Sequence, residues 1–308
     1  MINFFMKKLK IFTLLFVCCL SLLTLNAHES TVPSSKAYNS EQLTENIFML
    51  KGKGGNIVLF KGDQGLLLID DDYKKLSKEL KQEIKHFAKL DTLQYLINTH
   101  WHGDHTGGNF ELGSFTKIVS HINVRKRLQT TQEVKLFNMV SKPYPAKALP
   151  SITFNDTLNI YFNGEEISII HYAYGHTDGD SVIQFKNSNV IHMGDLYFSN
   201  MFPFVDVGTG GDVLQLARNI KLVMNKINEN TIIVPGHGKI SSKKELNEYY
   251  LMLVGTYNEV HHLISNGISL EDIKKQGLSS KWEKWNVGFI KENVWISIIH
   301  DSILKNRT

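Results

Sequence analysis

The segment His100-Trp101-His102-Gly103-Asp104-His105 places three imidazoles and a carboxylate within six residues, directly after the apolar run Leu93-Gln94-Tyr95-Leu96-Ile97. So dense a set of ligand-type side chains is costly to place in an ordinary loop. Imidazole with carboxylate suits zinc, and also iron or manganese. On an extended segment His100 and His102 point to the same side, because strand side chains alternate. Adjacent Asp104 and His105 point different ways and can serve a second ion. One short loop can therefore feed two neighbouring sites. A surface loop that merely happens to be histidine-rich is the alternative, and partners further along the chain argue against it.

Those partners come singly. His176 lies in Tyr174-Gly175-His176-Thr177-Asp178-Gly179-Asp180, Asp195 ends Val190-Ile191-His192-Met193-Gly194-Asp195, and His237 lies in Ile233-Val234-Pro235-Gly236-His237-Gly238. Each follows a β-like apolar stretch and is flanked by glycine, which allows sharp turns and close backbone approach. Side chains at the ends of neighbouring strands can converge on one site.

With these residues in order, the chain resembles the metallo-β-lactamase superfamily of metallohydrolases, from about Leu43 to at least Lys239. Gly54-Gly55-Asn56, the strand ending Leu67-Leu68-Ile69-Asp70, and Thr106-Gly107-Gly108-Asn109 match as well. The resemblance implies an α/β fold, a four-layer αββα sandwich with the site at one edge of two sheets. It implies one metal site of His100, His102 and His176, and another of Asp104, His105 and His237, with Asp195 bridging them. Asp70 is expected to accept a hydrogen bond from a ligand imidazole and fix its tautomer. Two zinc ions per chain are expected, with iron or manganese also compatible.

The implied chemistry is metal-assisted hydrolysis. A metal-bridging hydroxide attacks a carbonyl carbon, the three-histidine metal polarises the carbonyl oxygen, and the second metal stabilises the leaving group. Asp104 is the expected catalytic residue, holding its metal and the nucleophile's remaining hydrogen. A small ester, lactone, thioester or amide is the first substrate reading. β-Lactam hydrolysis is the alternative, but Leu196, Tyr197 and Phe198 follow Asp195, where β-lactamases often carry a lysine for the drug's carboxylate. Lys142 or Lys147 could substitute. An iron-dependent oxygen-using member normally needs only one metal. The reading from a different class is a non-catalytic, metal-stabilised binding protein of the cell envelope. An intact set of seven ligands argues against it.

Lys7, Lys8 and Lys10 precede the apolar run Ile11 to Leu25, too short for a confident membrane span. Residues 1–27 read as a signal peptide cleaved after Ala27, with Leu25 a departure at the −3 position. An uncleaved anchor competes with this reading, and Val17 before Cys18 disfavours a lipoprotein. The mature chain is expected in the periplasm or secreted, with no stable membrane span. Both cysteines, Cys18 and Cys19, lie in this leader. The mature chain then has no disulfide and no thiolate ligand, and Asp195 stands where one β-lactamase subgroup uses cysteine. Removing three lysines from a net charge of +4 leaves about +1. That charge gives no reason to expect a nucleic-acid partner. A small molecule is the expected partner.

Residues 28–42 are polar and expected to be flexible, and 43–308 form the hydrolase domain. Strands are expected at 47–50, 56–61, 65–70, 94–98, 118–120, 152–154, 158–162, 166–171, 181–185, 190–193 and 232–235. Helices are expected at 73–88, 121–128, 213–227, 242–266, 270–276 and 288–305. Residues 129–150, broken by Pro143, Pro145 and Pro150, read either as a loop packed on the body or as a flap over the site. His121 is read as structural or capping, and His171 and His192 as core residues or supports behind the ligands. His261, His262 and His300 are read as surface residues. Tyr197 reads as packing rather than an oxyanion donor, Tyr197 to Gly211 as substrate wall, and Asp212 as a helix cap.

Overall fold

The computed structural model describes residues 37–305. The expected leader and residues 28–36 lie outside the described residues. Alternation within the strands sorts the core into layers. In the first sheet, β1 (Asn39–Gln42), β2 (Ile47–Lys51), β3 (Ile57–Gly62) and β4 (Gly65–Ile69) run antiparallel. Then β5 (Leu93–Ile97), β6 (Lys117–His121) and, beyond a hairpin of β7 (Gln132–Val134) and β8 (Met139–Ser141), β9 (Ile152–Phe154) join in parallel. The second sheet orders β10 (Thr157–Phe162), β11 (Glu165–His171), β12 (Ser181–Phe185), β13 (Val190–His192) and β14 (Ile232–Val234), the last pair parallel.

Leu67 and Ile69 of β4 face Ile183 and Phe185 of β12 between the sheets, while Leu66 and Leu68 face outward onto Leu80 and Ile84 of the helix Ser77–Phe87. On the far side, Val182 and Ile191 pack against Leu216 and Ile220 of Val213–Met224, Met252 of Lys243–Ser265, and Trp295 of Glu292–Lys305. A strand buried on both faces reads as a continuous apolar run, which is why Leu66–Ile69 lacks a polar alternate. The architecture is the αββα sandwich.

The structure corrects several sequence expectations. The segment 28–42 is not uniformly irregular: Tyr38 is buried and Asn39–Gln42 pairs with β2. Its polar, exposed side chains hid an edge strand held by backbone bonds. Residues 129–150 contain the β7–β8 hairpin, whose return is made by Asn138 at φ 51. Asparagine tolerates this left-handed conformation, but three-residue strands give too little alternation to be read. The last helix starts at Glu292, not Gly288, because the Asn286 side chain accepts from the Glu292 N–H. The helix from Val213 stops at Met224, and Asp212 caps it by accepting from Gln215 N–H at 2.7 Å.

His121 accepts from the Asn123 N–H and so caps the helix Ile122–Leu128, with its ring stacked on His171 at 3.7 Å. Burial, with the neighbouring His171, pushes its pKa down to about 4. An unfolded histidine titrates near 6.5. Between these values the unfolded chain holds the proton and the folded chain does not, so stability falls as pH drops from about 6.5 towards 4. His121→Asn keeps a capping side chain and removes this titration. Its melting temperature is expected to fall less than that of the parent over this window, and parallel curves would show that His121 plays no part.

Candidate metal centre

The ends of the strands bring all seven expected ligand residues to one edge. His100, His102, Asp104 and His105 leave the C-terminal end of β5. Asp195 and His237 follow the parallel neighbours β13 and β14, and His176 lies on the β11–β12 connection at the same end. Donor atoms of His100, His102, His176 and Asp195 form one group, and those of Asp104, His105 and His237 another.

In the first group His102 Nδ1 lies 3.1 Å from His100 Nε2 and 2.8 Å from His176 Nε2. In the second, His237 Nε2 lies 3.3 Å from Asp104 Oδ2 and 3.4 Å from His105 Nε2. Asp195 stands between them. Its Oδ2 is 3.4 Å from His176 Nε2, while its Oδ1 is 3.1 Å from His105 Nε2 and 3.5 Å from His237 Nε2.

The opposite edge of each ring decides what these nitrogens are. His176 Nδ1 donates to the Phe204 carbonyl at 2.8 Å. His102 Nε2 meets the Asp206 carboxylate at 3.1 Å, and His105 Nδ1 meets Asp70 at 2.7 Å. The Thr99 hydroxyl donates to Asp70 and so accepts from His100 Nδ1 at 3.0 Å. Each of these four imidazoles spends its N–H away from the site and turns a lone pair inward. Lone pairs this close repel one another rather than hydrogen-bond, and Asp195 Oδ1 is buried without a donor among the described residues. The arrangement fits a cation in each group.

Electrostatics agree with that fit in the first group. Burial and the neighbouring His105 hold His100 well below the usual range, and burial takes His176 down to about 4, so both present neutral nitrogens. In the second, burial opposes charge on His105, but Asp195, Asp104 and Asp70 outweigh it and push it well above the usual range, a proton that a cation there would replace. Burial opposes charge on His237, but Asp195 and Asp104 outweigh it and push it up to about 9. The carboxylates that would hold a proton there would also favour a metal ion.

The local backbone is built for close approach. Asp70 sits at φ 60, a strained position of the kind found at functional sites, with its carboxylate between Thr99 and His105. A Cβ on Gly55 would fall 2.1 Å from the His105 ring, and one on Gly236 2.0 Å from Asp195 Oδ1. Asn56 ties the two sheets together by donating to the Pro235 and Gly238 carbonyls.

A cleft of about 640 Å³ opens onto His102, Asp104, Asp195 and His237. Val134, Phe137, Met139, Val140 and Ser141 of the β7–β8 hairpin supply one wall, so that part of the 129–150 segment borders the site. Tyr197 is buried with its hydroxyl on Ser241, and packs as expected. His192 bonds the Asn56 carbonyl behind the site, whereas His171 is half-buried, stacked on His121 and bonded to the Asp180 carbonyl. Lys142 and Lys147 do not line the cleft, whereas Lys53, Tyr73 and Phe289 do, and none of these three was read from sequence. Asp206 was also missed. It is the single acid between Tyr197 and Gly211, the one signal that could have found it.

The sequence model of the metallo-beta-lactamase superfamily matches residues 50–237. The chain is 29% identical over 212 residues to a probable metallo-hydrolase of Methanocaldococcus jannaschii, covering 67% of this chain and 93% of that protein. It is 23% identical over 251 residues to a metallo-beta-lactamase type 2 of Bacillus cereus, covering 73% and 92%. A solved metallo-beta-lactamase from Pontibacter korlensis superposes with a TM-score of 0.56 at 17% identity, covering 70% of this chain and 98% of that one.

Proposed function

Since the chain belongs to the metallo-beta-lactamase superfamily and is a metallohydrolase, we propose that it is a dinuclear zinc enzyme cleaving a small ester, lactone, thioester or amide. The observation that carries this reading is Asp195, with one carboxylate oxygen facing each donor group. His100, His102 and His176 would hold one ion, and Asp104, His105 and His237 the other. Bound there, the two ions would supply hydroxide at neutral pH and a Lewis acid for the carbonyl oxygen.

The remaining work falls to this chain's own side chains. Asp104 borders the cleft with its carboxyl held low: burial opposes the charge, but His105 and His237 outweigh it. It is ionised at neutral pH and can accept the proton of an attacking water. Asp206 and Asp70 orient His102 and His105. Phe204, 5.6 Å from the His102 ring, and Phe137 of the hairpin, 4.9 Å from Phe204, make that side of the cleft apolar. A purely binding protein has no need of all seven donor residues, which favours the catalytic reading. We also place the mature chain outside the cytoplasm, on the leader in residues 1–27. Amino-terminal sequencing of the exported protein tests that placement, with His28 as the expected first residue and Glu29 the second.

A β-lactamase reading has one observation in its favour, the cation Lys53 at the cleft. Nitrocefin, a γ-lactone, 4-nitrophenyl acetate and a thioester, each assayed with zinc-loaded protein, separate the two. Turnover confined to nitrocefin would replace the first reading with the second.

Removing a carboxylate behind a ligand gives an independent check. Asp206→Ala should weaken metal binding at the three-histidine group by about 10–100-fold, with Asp206→Asn in between. Metal titrations indistinguishable from the parent would mean that His102 does not need this partner.

A further inference from the structure

The apolar wall of the cleft continues past its mouth. Met139, Val140 and Phe289 are 52%, 63% and 53% exposed, and their near neighbours along the chain, Leu136 and Val287, are exposed as well. Contiguous exposed apolar surface of this kind marks an interaction site. It leads inward as well: Phe137 lies 6.1 Å from Phe289 and 4.9 Å from Phe204, and Phe204 lies 5.6 Å from His102. An unbroken apolar path therefore runs from the surface to the three-histidine group.

One cation stands at the cleft beside Asp104. Lys53 precedes Gly54, whose Cα packs against Asp104, and its ammonium has no ion-pair partner among the described residues. Tyr73 lines the same cleft, and its hydroxyl has no hydrogen-bond partner among the described residues. The cleft thus has an apolar wall that runs from the hairpin past His102 and across Phe289 to His237, and a cation, Lys53, beside Asp104.

We propose that this cleft takes an amphiphile: an acyl compound whose apolar chain lies along the β7–β8 hairpin and Phe289 and whose anionic group meets Lys53. This rests on the hydrolase reading above and names the substrate class of that site. The apolar chain gains burial against Phe137, Met139 and Val140, and a lone exposed ammonium beside Asp104 selects an anion over a neutral group.

The test is calorimetric binding of acetate, hexanoate and decanoate to the zinc-loaded full chain. All three carry the same carboxylate, so any contact of that group with metal cancels in their ratios. Affinity should rise by up to about fourfold per methylene while the chain remains on the hairpin. The exposed pair Met139→Ser with Val140→Ser should flatten that rise. Lys53→Met should weaken decanoate about threefold and leave decanol unchanged.

Decanoate binding no tighter than acetate, or a rise that survives the hairpin variant, would overturn the proposal. So would adhesion to phosphatidylcholine vesicles that the hairpin variant loses while the decanoate ratio stays flat, since the patch would then dock a membrane. Equal losses of decanoate and decanol in Lys53→Met would remove the anionic group. Hydrolysis of 4-nitrophenyl acetate by the same preparation separates the two levels. Turnover with a flat ratio defeats the amphiphile and keeps the hydrolase, and a steep ratio with no turnover of any ester does the reverse.

Discussion

His102→Ala is expected to lower hydrolysis by about 10³-fold or more, because metal polarisation of the reacting group contributes several kcal/mol to the barrier. His102 Nδ1 is the atom that both His100 and His176 face, at 3.1 and 2.8 Å. Without it the first donor group keeps two imidazoles and one oxygen of Asp195, too few to close a zinc site firmly. Metal content measured by atomic spectroscopy should fall from near two ions per chain towards one. Asp104→Ala and His237→Ala should each give the same fall through the other group. Chelation of the parent should reproduce the loss of rate, and zinc should restore it in the parent alone. Full metal content together with undiminished turnover in all three variants would sink the ligand assignment.

Asp70→Ala is expected to carry the largest stability cost, about 3–5 kcal/mol, because it removes a buried carboxylate and strands its donors. Asp70 accepts from the Thr99 N–H at 2.8 Å, the Thr99 hydroxyl at 2.8 Å and His105 Nδ1 at 2.7 Å. Through Thr99 it also sets the ring of His100, so one carboxylate orients an imidazole in each donor group. Metal affinity should fall by about 10–100-fold as those rings lose their tautomeric preference. Urea unfolding of the metal-free parent and variant isolates the structural part from the metal's own contribution. A loss under about 1 kcal/mol would show that Thr99 and His105 find other partners.

The donor set was legible because metal ligation imposes short-range rules on sequence. His100, His102, Asp104 and His105 are close enough along the chain for their spacing to carry meaning. His176, Asp195 and His237 each sit beside a glycine at the end of an apolar run. The αββα layering was legible only through the family resemblance. The strands themselves give apolar runs that do not say which sheet they join, and neither β1 nor the β7–β8 hairpin has enough buried alternation to be read as strand.

The supports and the cleft belong to the other category. Asp206 reaches His102 across 104 positions, and Asp70 reaches His105 across 35. Lys53 and Phe289 border one cavity from nearly opposite ends of the described chain. Sequence alone determined which side chains could hold metal, because ligand chemistry restricts residue type and local spacing. Only the tertiary structure decided which carboxylates orient them and what the cleft is lined with. Second contacts and cavity walls are built from common residues whose meeting is set by sheet packing, and packing leaves no local signature in the chain.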